Sequence, residues 1–154
     1  MPEKLDPLDR KILDLMQQDA SLTIAEIAER AGLSQSPCWR RIQRMRQDGI
    51  ILRQVTLLDR RRIGLNAQIF AQVRLSAKGR ENIEEFSRAI HGFREVLDCY
   101  VTMGSTDFIL RIVAEDIDAY ERFFFEQLSR VPGIQEINSM VALSEIKSTT
   151  SLPL

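Results

Sequence analysis

Apolar residues near the start of the chain recur at helical spacing. Asp6 can cap a helix there, and Pro7 suits the first helical position because a residue at that position needs no N–H donor. The apolar side chains on one face of this helix are Leu8, Ile12, Leu15 and Met16. This spacing predicts a first amphipathic helix.

Two more helices are predicted directly after the first. The second opens with the capping-box pattern from Thr23 to Glu26 and stops at Gly32, and the third begins at Ser34 or Ser36. The buried stripes expected for these two helices are Ile24, Ile27, Ala28 and Ala31, and then Cys38, Ile42 and Met45. Three short helices with a tight turn before the last predict a helix-turn-helix, whose third helix enters the DNA major groove.

The exposed face of the third helix is polar and basic. With about 100° per residue, the positions opposite its buried stripe are Ser36, Arg40, Gln43, Arg44 and Gln47. Since Arg and Gln side chains pair with guanine and adenine edges, we predict that Arg40 and Gln43 read bases. Arg44, Arg53 and Arg60–Arg62 are expected to meet phosphates or to stay solvated. Trp39 lies at the edge of this face. Its side chain could pack against the first helix or contact a base.

The hydrophobic pattern changes after the third helix. Residues 51–58 predict a strand, and a basic connector at 59–62 follows. From there strands at 67–75, 96–103, 108–114 and 134–146 alternate with helices over 83–92 and 117–128, in the ferredoxin-like order βαββαβ. We therefore expect an α+β protein with an N-terminal all-α (winged) helix-turn-helix domain at 1–62 and a C-terminal ferredoxin-like domain at 63–154.

The predicted sheet has helices for only one of its faces. Part of the other face consists of apolar Phe, Val and Ile side chains. Because such a face is stable only when it is covered, we expect a homodimer or a higher oligomer.

Charge is divided unequally along the chain. Residues 40–62 contain eight arginines and two aspartates, whereas residues 63–154 contain nine basic and 13 acidic side chains. Arginine forms forked contacts with phosphate and guanine, so this asymmetry suggests a nucleic-acid end and a separate regulatory end. A solvated basic face is the alternative interpretation.

Composition excludes several classes of protein. The chain is 44% hydrophobic and 28% charged, no apolar run approaches the ~18 residues of a membrane helix, and no signal peptide is expected, so we predict a cytoplasmic protein. A phosphate-binding loop, a zinc motif and a catalytic set are all missing, so no enzyme activity, cofactor or metal is expected. The single histidine, His91, is expected to end a helix, and Cys38 and Cys99 to lie in the core.

Six short motifs occur along the chain in a specific order and spacing. They are LDRKIL at 8–13, LSQSPCWRRI at 33–42, DGI at 48–50, GSTDFIL at 104–110, VPGI at 131–134 and EIK at 145–147. Together they resemble, over essentially the whole length, the Lrp/AsnC (leucine-responsive/asparagine-responsive, feast/famine) family of bacterial transcriptional regulators. The resemblance implies a DNA-binding helix-turn-helix and a C-terminal domain that binds amino acids and assembles dimers, often into octamers.

The same resemblance implies where a small amino-acid effector lies, between dimers and near the turn that joins the second and third strands. The matching residues are Val101, Gly104, Ser105, Thr106 and Asp107 and, usually from a neighbouring subunit, Met140, Val141 and Ala142. Asp107 can supply an anion for the ammonium group, and the turn that contains Gly104 can supply N–H groups for the carboxylate. The helix start at 37–39 and the tail at 149–153 resemble a branch some of whose members respond to cysteine. We expect cysteine or a branched-chain amino acid.

Three other functions stay open at this point. One is a ligand-independent architectural DNA-binding protein, which the sequence does not exclude. An RNA-binding module shares the βαββαβ order and would need exposed aromatic residues, for which Phe70 and Phe108 are the candidates. An enzyme built on a ferredoxin-like dimer would need a catalytic set that the sequence lacks.

Overall fold

A computed structural model describes residues 5–154, which form two compact units. The first unit contains the residues up to Leu57 together with Lys147–Leu154, and the second is Leu58–Ile146. The division falls before the expected boundary at residue 62, and the C-terminal tail belongs to the helical unit. Residues 1–4, on which part of the signal-peptide expectation rests, lie outside the described range.

The first unit contains the three predicted helices, α1 (Pro7–Gln18), α2 (Ile24–Ala31) and α3 (Gln35–Gln47). Asp6 caps α1, and Thr23 forms the expected reciprocal capping box with Glu26 at the start of α2. Gly32 ends α2 with a φ of 76°, a left-handed conformation that glycine adopts without strain. Ser34 takes the N-cap position of α3 but makes no side-chain hydrogen bond there.

The buried apolar residues of the first unit form one cluster between the three helices. The cluster consists of Ile12, Ile27, Ala28, Ala31, Cys38, Ile42 and Met45. Each predicted stripe contributes to it, and the expectation that Cys38 is a core residue is confirmed. Because α3 turns this apolar stripe inward, its opposite side faces solvent.

The side chain of Gln17 in α1 binds the C-terminal tail at Leu152. The Gln17 amide nitrogen donates to the Leu152 carbonyl at 2.8 Å, and the Leu152 N–H donates to Gln17 Oε1, also at 2.8 Å. An amide side chain offers both a donor and an acceptor, so it satisfies both backbone groups of one residue. Because the tail belongs to the helical unit, the chain passes between the two units twice, after Leu57 and after Ile146.

Residues 52–58 form no strand, so the predicted strand at 51–58 is wrong for the single chain. Among residues 5–154, no strand pairs with this segment. Its apolar side chains are exposed instead, Leu52 to 88% and Val55, Leu57 and Leu58 to more than half. A strand needs a neighbouring backbone to pair with, and an apolar pattern does not reveal whether one is present.

The second unit has the predicted βαββαβ order with one additional short helix. Its elements are β1 (Ala67–Leu75), α4 (Ala77–Glu81), α5 (Ile83–Gly92), β2 (Val96–Val101), β3 (Phe108–Ala114), α6 (Ile117–Glu126) and β4 (Ile134–Val141). The strands form one antiparallel sheet in the order β2-β3-β1-β4, which is the ferredoxin-like arrangement. No helix among the described residues has the length and apolar content needed to cross a membrane.

Two strands and one helix are shorter than predicted. β2 ends at Val101, and the N–H of Thr102 then closes the hairpin by donating to the Asp107 carbonyl at 2.9 Å. β4 ends at Val141, which pairs with Ile69 near the beginning of β1, so little of β1 is left to pair with residues 142–146. Leu128 lies in a 3-10 turn after α6 rather than in that helix.

Helices cover one face of the sheet and bury the core of the second unit against it. This core includes Ile69, Ala71, Val73 and Leu75 of β1, together with Phe86, Leu110, Ile112 and Phe123. Cys99 is exposed, which corrects the expectation that it is a core residue. The reason is its position on β2, which has a neighbouring strand on one side only.

The other face of the sheet is a mixture of apolar and charged residues. Phe70 of β1 pairs with Arg111 on one side and with Met140 on the other. The Arg111 guanidinium donates to the Asp98 carboxylate on the next strand. Met140 is nearly half exposed, so this face has apolar surface in contact with water.

A close backbone contact joins α4 to the loop before β4. A Cβ on Gly79 would lie 2.3 Å from the Gly133 carbonyl oxygen, well inside van der Waals contact. The same oxygen accepts the Ser76 N–H at 2.9 Å. Position 79 therefore requires glycine.

Replacing Gly79 with alanine is expected to lower the free energy of unfolding by about 1–3 kcal/mol, because the new methyl group must displace backbone. Gly92→Ala is the matched control, since a Cβ there meets no atom within 4 Å. Urea unfolding followed by circular dichroism measures both variants. Equal stabilities would contradict a tight contact at position 79.

Candidate DNA-binding face and ligand turn

The residues predicted to contact DNA lie together on the solvent side of α3. Ser36, Arg40 and Gln47 are exposed and Gln43 is half-buried. Trp39 is 51% exposed at the edge of this face, so much of its indole ring is at the surface. The structure thus provides a continuous polar face with an aromatic edge, as the helical spacing predicts.

A buried aspartate in α1 binds two arginines of α3. Asp9 is only 1% exposed. Its Oδ1 accepts from Arg41 Nη1 at 2.8 Å and its Oδ2 accepts from Arg44 Nη2 at 2.6 Å. Arg41 also reaches Asp6 Oδ2 at 2.5 Å, and the Asp6 N–H donates to Asp9 Oδ2 at 3.2 Å. We call these four side chains, Asp6, Asp9, Arg41 and Arg44, the arginine–aspartate cluster.

The arginine–aspartate cluster gives Arg44 a partner within the protein and leaves its expected contact with a phosphate untested. The sequence predicts a phosphate contact or a solvated side chain, whereas the structure pairs Arg44 with Asp9 while its side chain stays 45% exposed. Sequence reasoning missed Asp9, although its position three residues after Asp6 matches the last position of a capping box. A carboxylate there was indistinguishable from an ordinary solvated cap.

The remaining arginines near α3 have mixed surroundings. Arg46 donates to Gln54 at 3.3 Å. Arg60 does not stay solvated, because its Nη1 donates to the carbonyls of Leu65 and Asn66 at 2.8 and 3.0 Å. Arg53 is exposed.

The pKa of Asp6 is lowered by its role as the N-cap of α1 and by its contact with Arg41. The backbone N–H of Asp9 and, next, the guanidinium of Arg41 hold the pKa of the Asp6 carboxyl below its ordinary value. Both groups interact favourably with the ionised carboxylate and lose that interaction when it is protonated.

The turn between β2 and β3 is held by residues of β1. Gly104 has a φ of 139°, which few other residues adopt. Arg74 of β1 donates from Nε and Nη2 to the Ser105 carbonyl, at 3.0 and 2.8 Å. The Thr102 hydroxyl donates to the Thr106 carbonyl at 2.8 Å. The turn therefore has a defined conformation within the single chain.

Asp107 already has protein partners. Its Oδ2 accepts the Leu75 N–H at 2.7 Å, and its Oδ1 lies 3.4 Å from Arg80 Nε. Arg80 also donates to the Leu75 carbonyl at 3.1 Å. Among the predicted ligand residues, Asp107 thus has a structural role in joining β1, α4 and the turn, and its second oxygen is held more loosely.

The two predicted parts of the ligand site lie at opposite ends of the sheet. Asp107 contacts the end of β1 at Leu75, whereas Val141 pairs with Ile69 near its beginning, beside Met140 and Ala142. The chain by itself does not bring these parts together. Val101 is exposed beside the turn. Sequence reasoning missed Arg74 and Arg80, since single arginines in a strand and a short helix give no signal.

His91 lies at the end of α5, as predicted. It is exposed, and its Nδ1 lies 2.7 Å from the Ser87 carbonyl one turn earlier. Residues 5–154 contain no cluster of three side chains suited to binding a metal ion.

Two family models match the chain, one in each half. Residues 5–51 match a winged helix-turn-helix DNA-binding model, and residues 68–152 match the Lrp/AsnC ligand binding domain. The first match contains the exposed face of α3, and the second contains the turn at 104–107.

Relatives of the whole chain are transcriptional regulators. The chain is 37% identical over 154 residues to the glutamate uptake regulatory protein of Zymomonas mobilis, covering 100% of this chain and 93% of the relative. It is 35% identical over 150 residues to the DNA-binding transcriptional activator DecR of Escherichia coli, covering 97% and 99%.

Solved structures with the same fold include a transcriptional regulator from Neisseria meningitidis in complex with L-Met. It has a TM-score of 0.93 and 36% identity, with 97% of each chain covered. An AsnC family transcriptional regulator from Agrobacterium tumefaciens has a TM-score of 0.91 and 40% identity, again with 97% of each chain covered.

The lowered pKa of Asp6 predicts a loss of stability in acid. Since the pKa is lower in the folded state, the stabilisation is present above the unfolded value of 3.8 and is lost as the pH falls through that value and below the folded one. Asp6→Asn should be less stable than wild type at pH 7 and should lose less stability as the pH falls. Chemical unfolding at several pH values measures both.

Asp118→Asn, which changes an exposed carboxylate of the second unit, serves as the control for this experiment. Parallel stability curves for wild type and Asp6→Asn would show that Asp6 does not titrate with folding.

Proposed function

The chain belongs to the Lrp/AsnC family of DNA-binding transcriptional regulators, and we propose that a small amino acid controls its binding to DNA. This family is non-enzymatic, as the sequence predicts. Because the target is DNA, we propose that the protein acts in the cytoplasm.

The solvent-facing residues of α3 support a direct role in reading DNA. Arg40 and Gln43 extend from a helix whose other side is anchored in the core, so the helix is rigid where it would enter the major groove. Arginine pairs with guanine and glutamine pairs with adenine through two hydrogen bonds each. We therefore assign base contacts to these two side chains, with Ser36 and Gln47 at the ends of the same face and Trp39 at its edge.

A second copy of the chain would supply the partner that two surfaces lack. The helix-free face of the sheet has apolar surface around Phe70 and Met140, and residues 52–58 have exposed apolar side chains and no pairing strand within residues 5–154. Each would be covered in a homodimer. A dimer also places two copies of α3 for a pseudo-palindromic site with half-sites about 34–36 Å apart. We propose that such dimers assemble further, into octamers.

The effector we propose is an amino acid held at the turn of residues 104–107, with Val101 beside it. The relative solved in complex with L-Met supports this class of ligand. Arg80 and Asp107 lie 3.4 Å apart and have opposite charges, which suits the carboxylate and the ammonium group of one zwitterion. Cysteine, methionine and the branched-chain amino acids are the first candidates.

The second wall of this site would come from a neighbouring copy. Met140, Val141 and Ala142 lie at the other end of their own sheet, so they can approach the turn only from another chain. A ligand bound between copies favours the assembly in which the two walls meet. That shift in assembly would decide which DNA half-sites are contacted together.

The structure disfavours the RNA-binding alternative. Phe108 is 4% exposed and packs against Phe86 under the helices, so it is not available for stacking on a base. Phe70 lies on the opposite face, and the two aromatic residues therefore do not form one stacking surface. An architectural DNA-binding protein without a ligand is the alternative that the second experiment below tests.

Arg40→Ala is expected to weaken binding to a duplex selected by the wild-type protein from a random-sequence pool by about 1–3 kcal/mol. Binding to an unrelated duplex should change much less, because a base contact contributes to specificity. Arg88→Ala, which removes an exposed charge from α5, is the control. Equal losses on both duplexes would reassign Arg40 to a phosphate contact.

Thermal unfolding in the presence of each of the twenty amino acids tests the effector. A ligand at about 100 times its Kd should stabilise the folded protein by about 2.7 kcal/mol and raise Tm. Asp107→Asn should abolish most of this shift, since it keeps an acceptor for the Leu75 N–H but removes the negative charge. Asp118→Asn should retain it.

No shift with any amino acid would support the ligand-independent architectural alternative. A full shift in Asp107→Asn would remove Asp107 from the ligand site while leaving the effector in place.

A further inference from the structure

We propose that Asp9 is a positioning residue for DNA binding: its buried carboxylate orders Arg44 so that the other N–H groups of Arg44 meet a DNA phosphate beside the reading face. This inference rests on the proposed binding of DNA by α3. It assigns a role to a side chain of α1 that lies in the core rather than on the DNA-binding surface.

The position of Arg44 is the first reason for this inference. Arg44 follows Arg40 by one helical turn, so it lies at the border between the reading face and the side of α3 that contacts α1. Its side chain is 45% exposed even though Nη2 is bound to Asp9. It therefore has one end in the core and one end at the surface.

The second reason is that most of the Arg44 donors have no hydrogen-bond partner among residues 5–154. A guanidinium has five N–H groups in a planar fork. One of them is directed at Asp9 Oδ2 at 2.6 Å, and Nε lies 4.0 Å from Asp48 Oδ2, which is too long for a hydrogen bond. The remaining donors have a direction set by the Asp9 contact, and a phosphate oxygen is the acceptor that fits a planar fork.

The behaviour of a free arginine explains what the Asp9 contact contributes. A solvated arginine loses several side-chain rotations when it binds a phosphate, and that entropy is subtracted from the affinity. In Arg44 this loss has already occurred on folding, because Asp9 is rigid in the core. Arg41 differs, since it has contacts with both Asp6 and Asp9 and is turned toward α1.

The net charge of the arginine–aspartate cluster distinguishes an ordering of Arg44 from a general electrostatic attraction to DNA. The arginine–aspartate cluster contains two carboxylates and two guanidiniums and therefore has no net formal charge. Its contribution to DNA binding then depends on the direction of the Arg44 donors more than on added positive charge. A lysine at position 44 would keep the charge and lose the planar fork.

A double-mutant cycle tests the proposal. Binding of wild type, Asp9→Asn, Arg44→Gln and the double variant is measured on the duplex selected by the wild-type protein from a random-sequence pool. Asp9→Asn should weaken binding about 2- to 10-fold, the range expected when one flexible side chain must be ordered on binding. In the Arg44→Gln background it should have no further effect, because the residue through which it acts is absent.

Arg41→Gln is the matched control, because it removes the other arginine from the same carboxylate. It should lower Tm while leaving the DNA affinity of the folded protein unchanged. Equal weakening by Asp9→Asn in both backgrounds, no weakening in either, or an equal loss in Arg41→Gln would overturn the proposal. Failure of the wild-type protein to select any duplex would instead overturn the proposed function.

Arg44→Lys decides the question if Asp9→Asn does not fold. Binding as weak as that of Arg44→Gln is the expected result, because a lysine keeps the charge at position 44 but lacks the planar fork that can contact Asp9 and a phosphate together. Binding equal to wild type would show that charge at position 44 suffices and would overturn the proposal.

Discussion

The helical unit depends on the ion pairs that the buried carboxylate of Asp9 forms with two arginines of α3. A charge removed from water is tolerated only when it is paired and hydrogen-bonded. Asp9 meets this requirement with guanidiniums from Arg41 and Arg44 and with the N–H of Asp6. The same contacts join α1 to α3, orient the helix that would enter DNA and separate the arginines that bind Asp9 from those that do not.

The second unit is organised by a sheet that has helices on one face only. Helix packing buries one set of alternate residues, and the other set includes Phe70 and Met140 at the surface. Around the turn of residues 104–107, Arg74 and Arg80 bind backbone carbonyls and Asp107 binds a backbone N–H. A turn ordered in this way can present a fixed set of groups to a ligand, while its proposed second wall must come from another copy.

Much of the fold was predictable because its signals are local. Capping by Asp6 and Thr23, the end of α2 at Gly32 and the apolar period of each helix depend on neighbouring residues and were predicted correctly. The strand at 51–58 was not, because pairing depends on a distant backbone. Cys99 was assigned to the core for a similar reason: its strand is an edge strand, and an edge cannot be recognised from the strand itself.

The sequence by itself determined the helix-turn-helix, the βαββαβ order and the exposed face of α3, since spacing along the chain sets which side chains share a face. Only the tertiary structure decided which charges pair. Asp9 and Arg44 are 35 residues apart in the sequence, and Asp107 and Arg80 are also far apart. Both contacts arise only because separate elements pack together. Hydrophobic periodicity is a property of one element, whereas an ion pair between elements exists only after folding has placed both partners.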